Sequence, residues 1–339
     1  MYRPVNDHRR ALCVLLGAMA TVTGMRAVGQ TPSRQYRVAW MDLRTLGPGV
    51  EIPNRHWFEP FRRRLSDRGF VEGRNLDLRV FALNTEQQDE AKAQRIREAV
   101  AWKPDVILTR NATNTKLAQQ ATAIIPIVFY GVDDPVVDGI VASMTRPGRN
   151  ATGVAGLHDV LAVKRLELIP QLLTGSRRVT VVIDSSTENM AKLSATMRDA
   201  ARRMDIKLIE IDAKGQGLPP ALERVAASKP DIVLIAGVIN DNQYYTRLPA
   251  FQARYRIPIM DDEPSSVDRG LILALGEEPE EIAQRIAEIT VKVLYGAKPP
   301  EIPVDAAQRI RLVINAGVAK KLGIKFSPAI WARADRIVD

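Results

Sequence analysis

A short phrase occurs twice in this chain, and it restricts the available folds more than any other feature. KPDVILTRN stands at 103–111 and KPDIVLIAG at 229–237. Downstream of each, in the same order, come IPIVFYGVDDP at 125–135 and IPIMDDEP at 257–264, so the offsets are 126 and 132 residues. Each phrase opens on turn residues and continues as an unbroken apolar run. Such a run without polar alternation is the pattern of a strand covered on both faces, as in a parallel sheet. Two similar α/β halves in tandem account for the repetition.

The rest of the chain fits the same scheme. Strands are expected at 37–43, 75–81, 105–109 and 124–128, with helices at 56–68 and 86–102 and a third from Thr115. Trp57, Phe58, Phe61 and Leu65 recur at helical spacing before Gly69, a helix stop. The second half repeats the alternation with strands at 179–183 and 207–211 and a helix at 189–204. A run at 271–275, a long helix at 278–295 and a strand-like segment at 311–314 follow. Strand–helix alternation predicts an α/β fold with parallel sheets. No Gly/Ser-rich linker separates the halves, so several short crossings, rather than one tether, are expected to join them.

The first 29 residues differ from this body. Arg3, Arg9 and Arg10 precede an apolar stretch at 11–25 that ends near Ala27-Val28-Gly29, the layout of a secretory signal peptide cleaved near Gly29. An uncleaved anchor is the alternative. Export places the mature chain in the periplasm. Cys13, the single cysteine, lies inside this segment, so the remainder has no disulfide or thiolate metal site. Of the three histidines His56 and His158 remain, which disfavours a metal site and His-based catalysis. Loss of residues 1–29 lowers the formal charge from +9 to +6. The basic residues are scattered among acids, whereas nucleic-acid binders concentrate charge on one face. No nucleic-acid partner is expected.

The opening repeat raises a chemical question: both buried strands end in adjacent carboxylates followed by proline or its near neighbour. Carboxyl ends of parallel strands open onto the crevice where α/β sheets bind ligands. Asp133, Asp134, Asp261 and Asp262 are therefore candidate ligand contacts, with helix capping as the alternative for each. Paired carboxylates also cut glycosides. Here, however, they are sequence neighbours whose side chains point different ways, and no GxSxG, P-loop or HExxH motif accompanies them. A non-enzymatic role without a cofactor is expected.

Four further segments carry a resemblance: GFVEGRNLDL at 69–78, IPIVFYGVDDPVVDGIVASMTRPGRNATGV at 125–154, KRLELIPQLL at 164–173 and LVINAGVAKKLGIKFSPAIWARAD at 312–335. Together they resemble the solute-binding proteins of ABC transporters, in the group of tryptophan/tyrosine-type binders with the type I periplasmic-binding-protein fold. The resemblance covers roughly 37–339. It implies two Rossmann-like lobes, 36–154 plus 271–299 and 155–270 plus 300–339, closing over a ligand by a hinge motion. The three crossings are expected near 154–157, 267–275 and 299–305. It implies a monomer that captures a small polar ligand, an amino acid or related small carboxylate, and delivers it to an ABC permease. A sugar or nucleoside ligand, and a role as ligand-binding partner of a membrane receptor, are the alternatives. The lactose-repressor type of regulator shares the architecture but needs a DNA-binding segment where the signal peptide stands.

On this frame the two Asp pairs become counterpart loops facing one cleft. Equivalent strand ends add Asp42 and Arg44 after the first strand, and Arg110, Asn111 and Thr113 after the third. Tyr130 is a candidate stacking residue. The second lobe contributes Ser185 and Ser186 after its first strand, and Asn240 and Asp241 after its third. Arg110 departs from the small, Thr-rich family pattern, and DSSTEN at 184–189 lacks the family's proline. The stretch 43–57 is long for a strand-to-helix connection and is either a lid or a surface loop with Trp57 packed on the lobe.

Overall fold

The protein is described by a computed structural model. The structure describes residues 34–42, 55–83, 89–173, 175, 177–186, 189–214, 217–237 and 243–339. The signal-peptide segment lies outside the described residues, as does most of the expected lid, 43–54.

The first lobe starts with β1 (Tyr36–Asp42), α1 (Arg55–Asp67), β2 (Leu76–Ala82), α2 (Asp89–Ala101), β3 (Val106–Arg110) and α3 (Ala112–Ala121). It continues through β4 (Ile127–Val132) and β5 (Ala151–Ala155). The chain then enters α4 (His158–Leu172), β6 (Arg178–Ile183), α5 (Met190–Arg203), β7 (Lys207–Asp212), α6 (Leu218–Ser228), β8 (Ile232–Ile235), α7 (Tyr244–Tyr255) and β9 (Ile259–Asp261). After β10 (Leu273–Glu277) come α8 (Pro279–Leu294), β11 (Asp305–Ala306) and β12 (Ile310–Asn315). The chain closes with α9 (Ala316–Leu322), α10 (Pro328–Arg333) and β13 (Arg336–Val338).

Two sheets result among the described residues. One is ordered β11-β5-β4-β3-β1-β2, the other β13-β12-β10-β9-β8-β6-β7. Pairing is parallel except for β10 with β12, which is antiparallel. The repeated phrases produce repeated geometry. Lys103 and Lys229 both take the left-handed conformation, at φ 54 and 48. The carboxylate of Asp105 accepts the backbone N–H of Arg37, while that of Asp231 accepts those of Arg177 and Arg178, in each case at the entrance to the lobe's first strand. The Pro126 carbonyl accepts from Ile107 and the Pro258 carbonyl from Val233, both at 2.9 Å.

Cores form on both faces of each sheet, as the unbroken apolar strands require. In the first lobe Val38, Trp40, Val106, Leu108 and Val128 face α1 and α8, while Ala39, Met41, Ile107, Ile127 and Phe129 face α2 and α3. α1 presents Phe58, Phe61 and Leu65 at helical spacing to Ile282, Ile286 and Ile289 of α8. Arg64 and Arg68 on α1 both pair with Glu288 on α8. In the second lobe α4 and α5 cover one face, while α6 and α7 cover the other.

Strand pairing moves two expected boundaries. The run at 271–275 was expected to cross into the first lobe, yet β10 pairs with β9 and β12 inside the second sheet. The change of sheet therefore follows Glu277. β11, expected with the second lobe, pairs with β5 in the first, so the third passage falls between Ala306 and Ile310. The reason is local: an apolar run of five reads equally as a crossing or as one more buried strand, and a two-residue edge strand has too little sequence to declare itself. The first passage joins Ala155 to His158.

Candidate functional site

The carboxyl ends of both sheets carry the polar groups singled out in the sequence. In the first lobe Arg110 ends β3 half-buried, beside Gly131, with no ion-pair partner among the described residues. Asn111 sits at φ 66 and caps α3, its Oδ1 accepting the Asn114 N–H at 2.9 Å. Thr113 lies half-buried in the same first turn. Tyr130 is 4% exposed and belongs to the core: its hydroxyl accepts the Trp40 indole N–H at 3.0 Å, and its ring lies 5.7 Å from that of Trp57. Trp57 thus packs on the lobe. Asp42 ends β1, with only its backbone described. Arg44, Asn240 and Asp241 lie outside the described residues.

The two aspartate pairs take different places. Asp133 Oδ2 accepts the Asp159 N–H at 2.8 Å, and Oδ1 accepts that of His158 at 3.3 Å, so a first-lobe residue caps the second-lobe helix α4. Asp134 is exposed and accepts the Val137 N–H at 3.0 Å within its own turn. Asp261, by contrast, is 1% exposed and closes β9. Its Oδ1 accepts the Tyr244 hydroxyl and the Asp262 N–H, both at 2.9 Å, while Oδ2 has no hydrogen-bond partner among the described residues. Register explains the asymmetry. Ile127 pairs with Ile107 in the first lobe, and Ile259 with Val233 in the second. Counting along the strands, Asp261 stands where Phe129 stands, not where Asp133 does. The pairs are alike in sequence but are not structural counterparts.

Ser185 and Ser186 are exposed and turned inward on neighbours: the Ser185 N–H donates to Asp212 and the Ser186 N–H to Asp184. Nothing about these hydrogen bonds reaches the first lobe.

Sequence reasoning missed a charged cluster at the first two passages between lobes. His158 Nδ1 lies 2.9 Å from Asp133 Oδ1, and its Nε2 lies 3.6 Å from Glu277 Oε2. Burial disfavours the imidazolium, but the hydrogen bond with Asp133 and the charges of Glu277, Asp133 and Asp262 outweigh it and raise the pKa to about 9. Glu277 is held above the usual carboxylate range by burial, only partly offset by His158. Arg165, 3% exposed on α4, donates its Nε to the Leu275 carbonyl at 2.7 Å and feels the charges of Asp262, Asp261 and Glu277. Burial, then the neighbouring charge of Asp262, pushes Asp261 up to about 8. Arg165 had a readable signal, since it occupies the apolar stripe Leu161, Arg165, Leu168, Leu172 at alternating spacings of three and four.

Close backbone approach sustains this cluster. A Cβ on Gly156 would lie 2.7 Å from Asp133 Oδ1 and 2.8 Å from His158 Nδ1. One on Gly276 would lie 1.7 Å from the Asp262 carbonyl oxygen. A cavity of about 500 Å³ that none of the cluster residues lines opens between the lobes, walled by Glu59 and Arg63 of α1, Ser265 and Asp268 after β9, Glu278 and Arg336. Among the described residues no group of three or more His, Cys, Asp or Glu is placed to hold a metal, and no helix is long and apolar enough to cross a membrane.

Two largely parallel sheets joined by three chain passages make a two-lobed architecture. A family model described as ABC transporter substrate binding protein matches residues 58–338. The chain belongs to that family. The Tyrosine-binding protein of Clostridioides difficile is 27% identical to this substrate-binding protein over 270 residues, 78% of this chain and 76% of that one. Among solved structures, a conserved domain protein from Vibrio cholerae matches with a TM-score of 0.75 at 26% identity, covering 90% of this chain and 100% of that chain. An ABC domain in complex with L-Trp, from Streptococcus pneumonia, matches with a TM-score of 0.73 at 18% identity and the same two coverages. At that last identity the likeness speaks for the fold alone.

Proposed function

We propose that this substrate-binding protein captures a small polar ligand, an amino acid of the tyrosine or tryptophan kind or a related small carboxylate, between its lobes. The reading continues that the chain is exported, acts as a monomer, and hands its ligand to an ABC permease in the membrane. It needs no cofactor, no nucleic acid and no bond-making step. The observation that carries it is the 27% identity with a tyrosine-binding protein across 78% of the chain. The site supports it in kind: Arg110 and the capped start of α3 stand at one strand edge, and Asp261 and Asp262 at the other, which suits a zwitterion.

The test is a thermal-shift screen on the protein from Gln30 onward, refolded from denaturant to strip carried ligand. The panel holds amino acids, small organic acids, sugars and nucleosides. A ligand at a hundred times its Kd adds about 2.7 kcal/mol to stability, so a true ligand raises the midpoint by several degrees. Tyrosine or tryptophan is expected to do so. A response confined to sugars or nucleosides would replace the ligand class while leaving the two-lobed carrier intact.

A further inference from the structure

We propose that the edge of the second sheet where its parallel strands enter, at the far end from Asp261 and Glu277, is a contact surface for an anionic phospholipid membrane. The inference does not depend on which ligand the protein carries.

Sequence order scatters the basic residues of this lobe, whereas strand topology gathers them. A parallel sheet takes in every strand at the same edge, so residues that precede successive strands become neighbours. Arg177 and Arg178 stand at the entrance of β6, Lys207 at that of β7, Lys229 before β8 and Arg256 before β9, all exposed. In the order β9-β8-β6-β7 these entrances span about 15 Å at the usual strand spacing. Returning helices extend the row. α5 ends on Arg202 and Arg203, both exposed. Arg256 donates to the carbonyls of Lys321 and Leu322, which brings the end of α9, with exposed Lys320 and Lys321, beside the entrance of β9.

Acids do not balance this row. Asp231 is engaged by the N–H groups of Arg177 and Arg178 and by the Arg178 guanidinium, and Asp199 pairs with Arg202. Asp205, in the turn before β7, is exposed. Arg203, Lys207, Lys229, Lys320 and Lys321 have no acidic partner among the described residues. Helix dipoles favour cations at the ends of α5 and α9. They give no reason for Arg177, Arg178 and Lys207, which enter strands. Nor does the fold impose the row. In the first lobe α2 and α3 carry no basic residue in their last turns, and Asp67, Asp77 and Glu98 stand near the corresponding edge.

The chemistry of the row favours a lipid surface over a nucleic acid. Its charges sit on long flexible stems along an edge, which suits a plane of mobile headgroups. Each Lys or Arg within a Debye length of an anionic bilayer adds to the attraction, so a row of this length acts together. Tyr255 lies in the same row, 42% exposed, with the Arg254 guanidinium over its ring at 5.3 Å. Such an amphipathic ring prefers the headgroup level of a bilayer.

The experiment is co-sedimentation with vesicles of phosphatidylcholine, alone or with about one-third phosphatidylglycerol. The protein runs from Gln30 onward and so keeps every described residue. Binding is expected to the mixed vesicles and not to the neutral ones, and should fall steeply between about 0.05 and 0.5 M salt. The triple variant Arg203→Glu, Lys207→Glu, Lys229→Glu should lose roughly tenfold or more of that binding. The matched variant Arg146→Glu, Lys292→Glu, Lys298→Glu makes the same change in net charge at exposed first-lobe positions. It should stay within about twofold of wild type. Each variant is checked for an intact unfolding transition, and Gln at the same three positions replaces a triple variant that fails to fold. Equal losses in the two variants would reduce the effect to net charge and overturn the assignment. So would salt-insensitive binding, no binding to the mixed vesicles, or a stronger affinity for a short DNA duplex than for the vesicles. None of these results bears on the ligand, which the thermal-shift screen tests separately.

Discussion

His158 is kept charged by the acids around it, and the direction of its shift fixes how stability depends on pH. Its pKa in the fold, about 9, lies above the ordinary 6.5 because the Asp133 hydrogen bond and nearby acids overcome burial. A raised basic pKa means that the folded state holds its proton longer than the unfolded chain. The stabilisation is complete below pH 6.5 and is lost as pH rises through 9. Asp133 behaves oppositely: burial raises its pKa, but His158 and the α4 N–H groups lower it further, so its contribution is present above pH 4 and fades in acid. The unfolding midpoint of His158→Gln should therefore fall furthest below wild type near pH 6, and the gap should narrow by pH 10. A gap that stays constant across that range would separate the histidine's charge from its packing. None of this was legible from a lone histidine in the sequence, because the partners are brought to it by three different segments. Asp133 and Asp134 were legible as polar groups at a strand end, but the use of Asp133 as a cap depends on where α4 begins.

Elements were legible where periodicity was long. α1, with Phe58, Phe61 and Leu65 on one stripe, and α8, with a buried face along four turns, fall within a residue or two of expectation. The buried strands β3, β4, β6 and β8 announced themselves through unbroken apolar runs. β10 did not, because Leu271 and Ile272 are as buried as the strand itself and blur its start. Its end is marked instead by Gly276, whose value is steric. An Ala there would place its Cβ 1.7 Å from the Asp262 carbonyl, so β9 and β10 would have to part. Gly276→Ala should lower unfolding stability by about 3 kcal/mol, the upper range for overpacking. Denaturant titration would show it as a reduced midpoint with an unchanged slope. A variant as stable as wild type would mean that the strand ends separate at little cost.

At the scale of the molecule, the passages between lobes combine a short hinge with charged contacts beside it. The first joins Ala155 to His158, the second follows Glu277, and the third lies between Ala306 and Ile310. Arg285 on α8 holds the last of these by pairing with Asp305 at 2.7 Å, and Glu281 accepts the Arg309 N–H at 2.9 Å. Few residues are left to absorb rotation, so ligand-driven motion should be a rigid-body closure of the lobes. Small-angle scattering is expected to show a smaller radius of gyration with saturating ligand than without it. An unchanged radius would mean that the lobes keep one arrangement throughout. The two-lobed plan was readable from the repeat; the exact passages were not, because they depend on which sheet each short strand joins.

That joining also sets when the molecule can be finished. Val154 of β5 waits for Asp305, about 150 residues later, to cover its edge, and the apolar face of α1 waits for α8. An uncovered strand edge is open to pairing with other chains. As the chain leaves the ribosome, then, its first half emerges with a sheet that nothing yet borders and a helix with nothing yet to lie against. The amino-terminal lobe, although first in sequence, is completed only when the last eighth of the chain is being made.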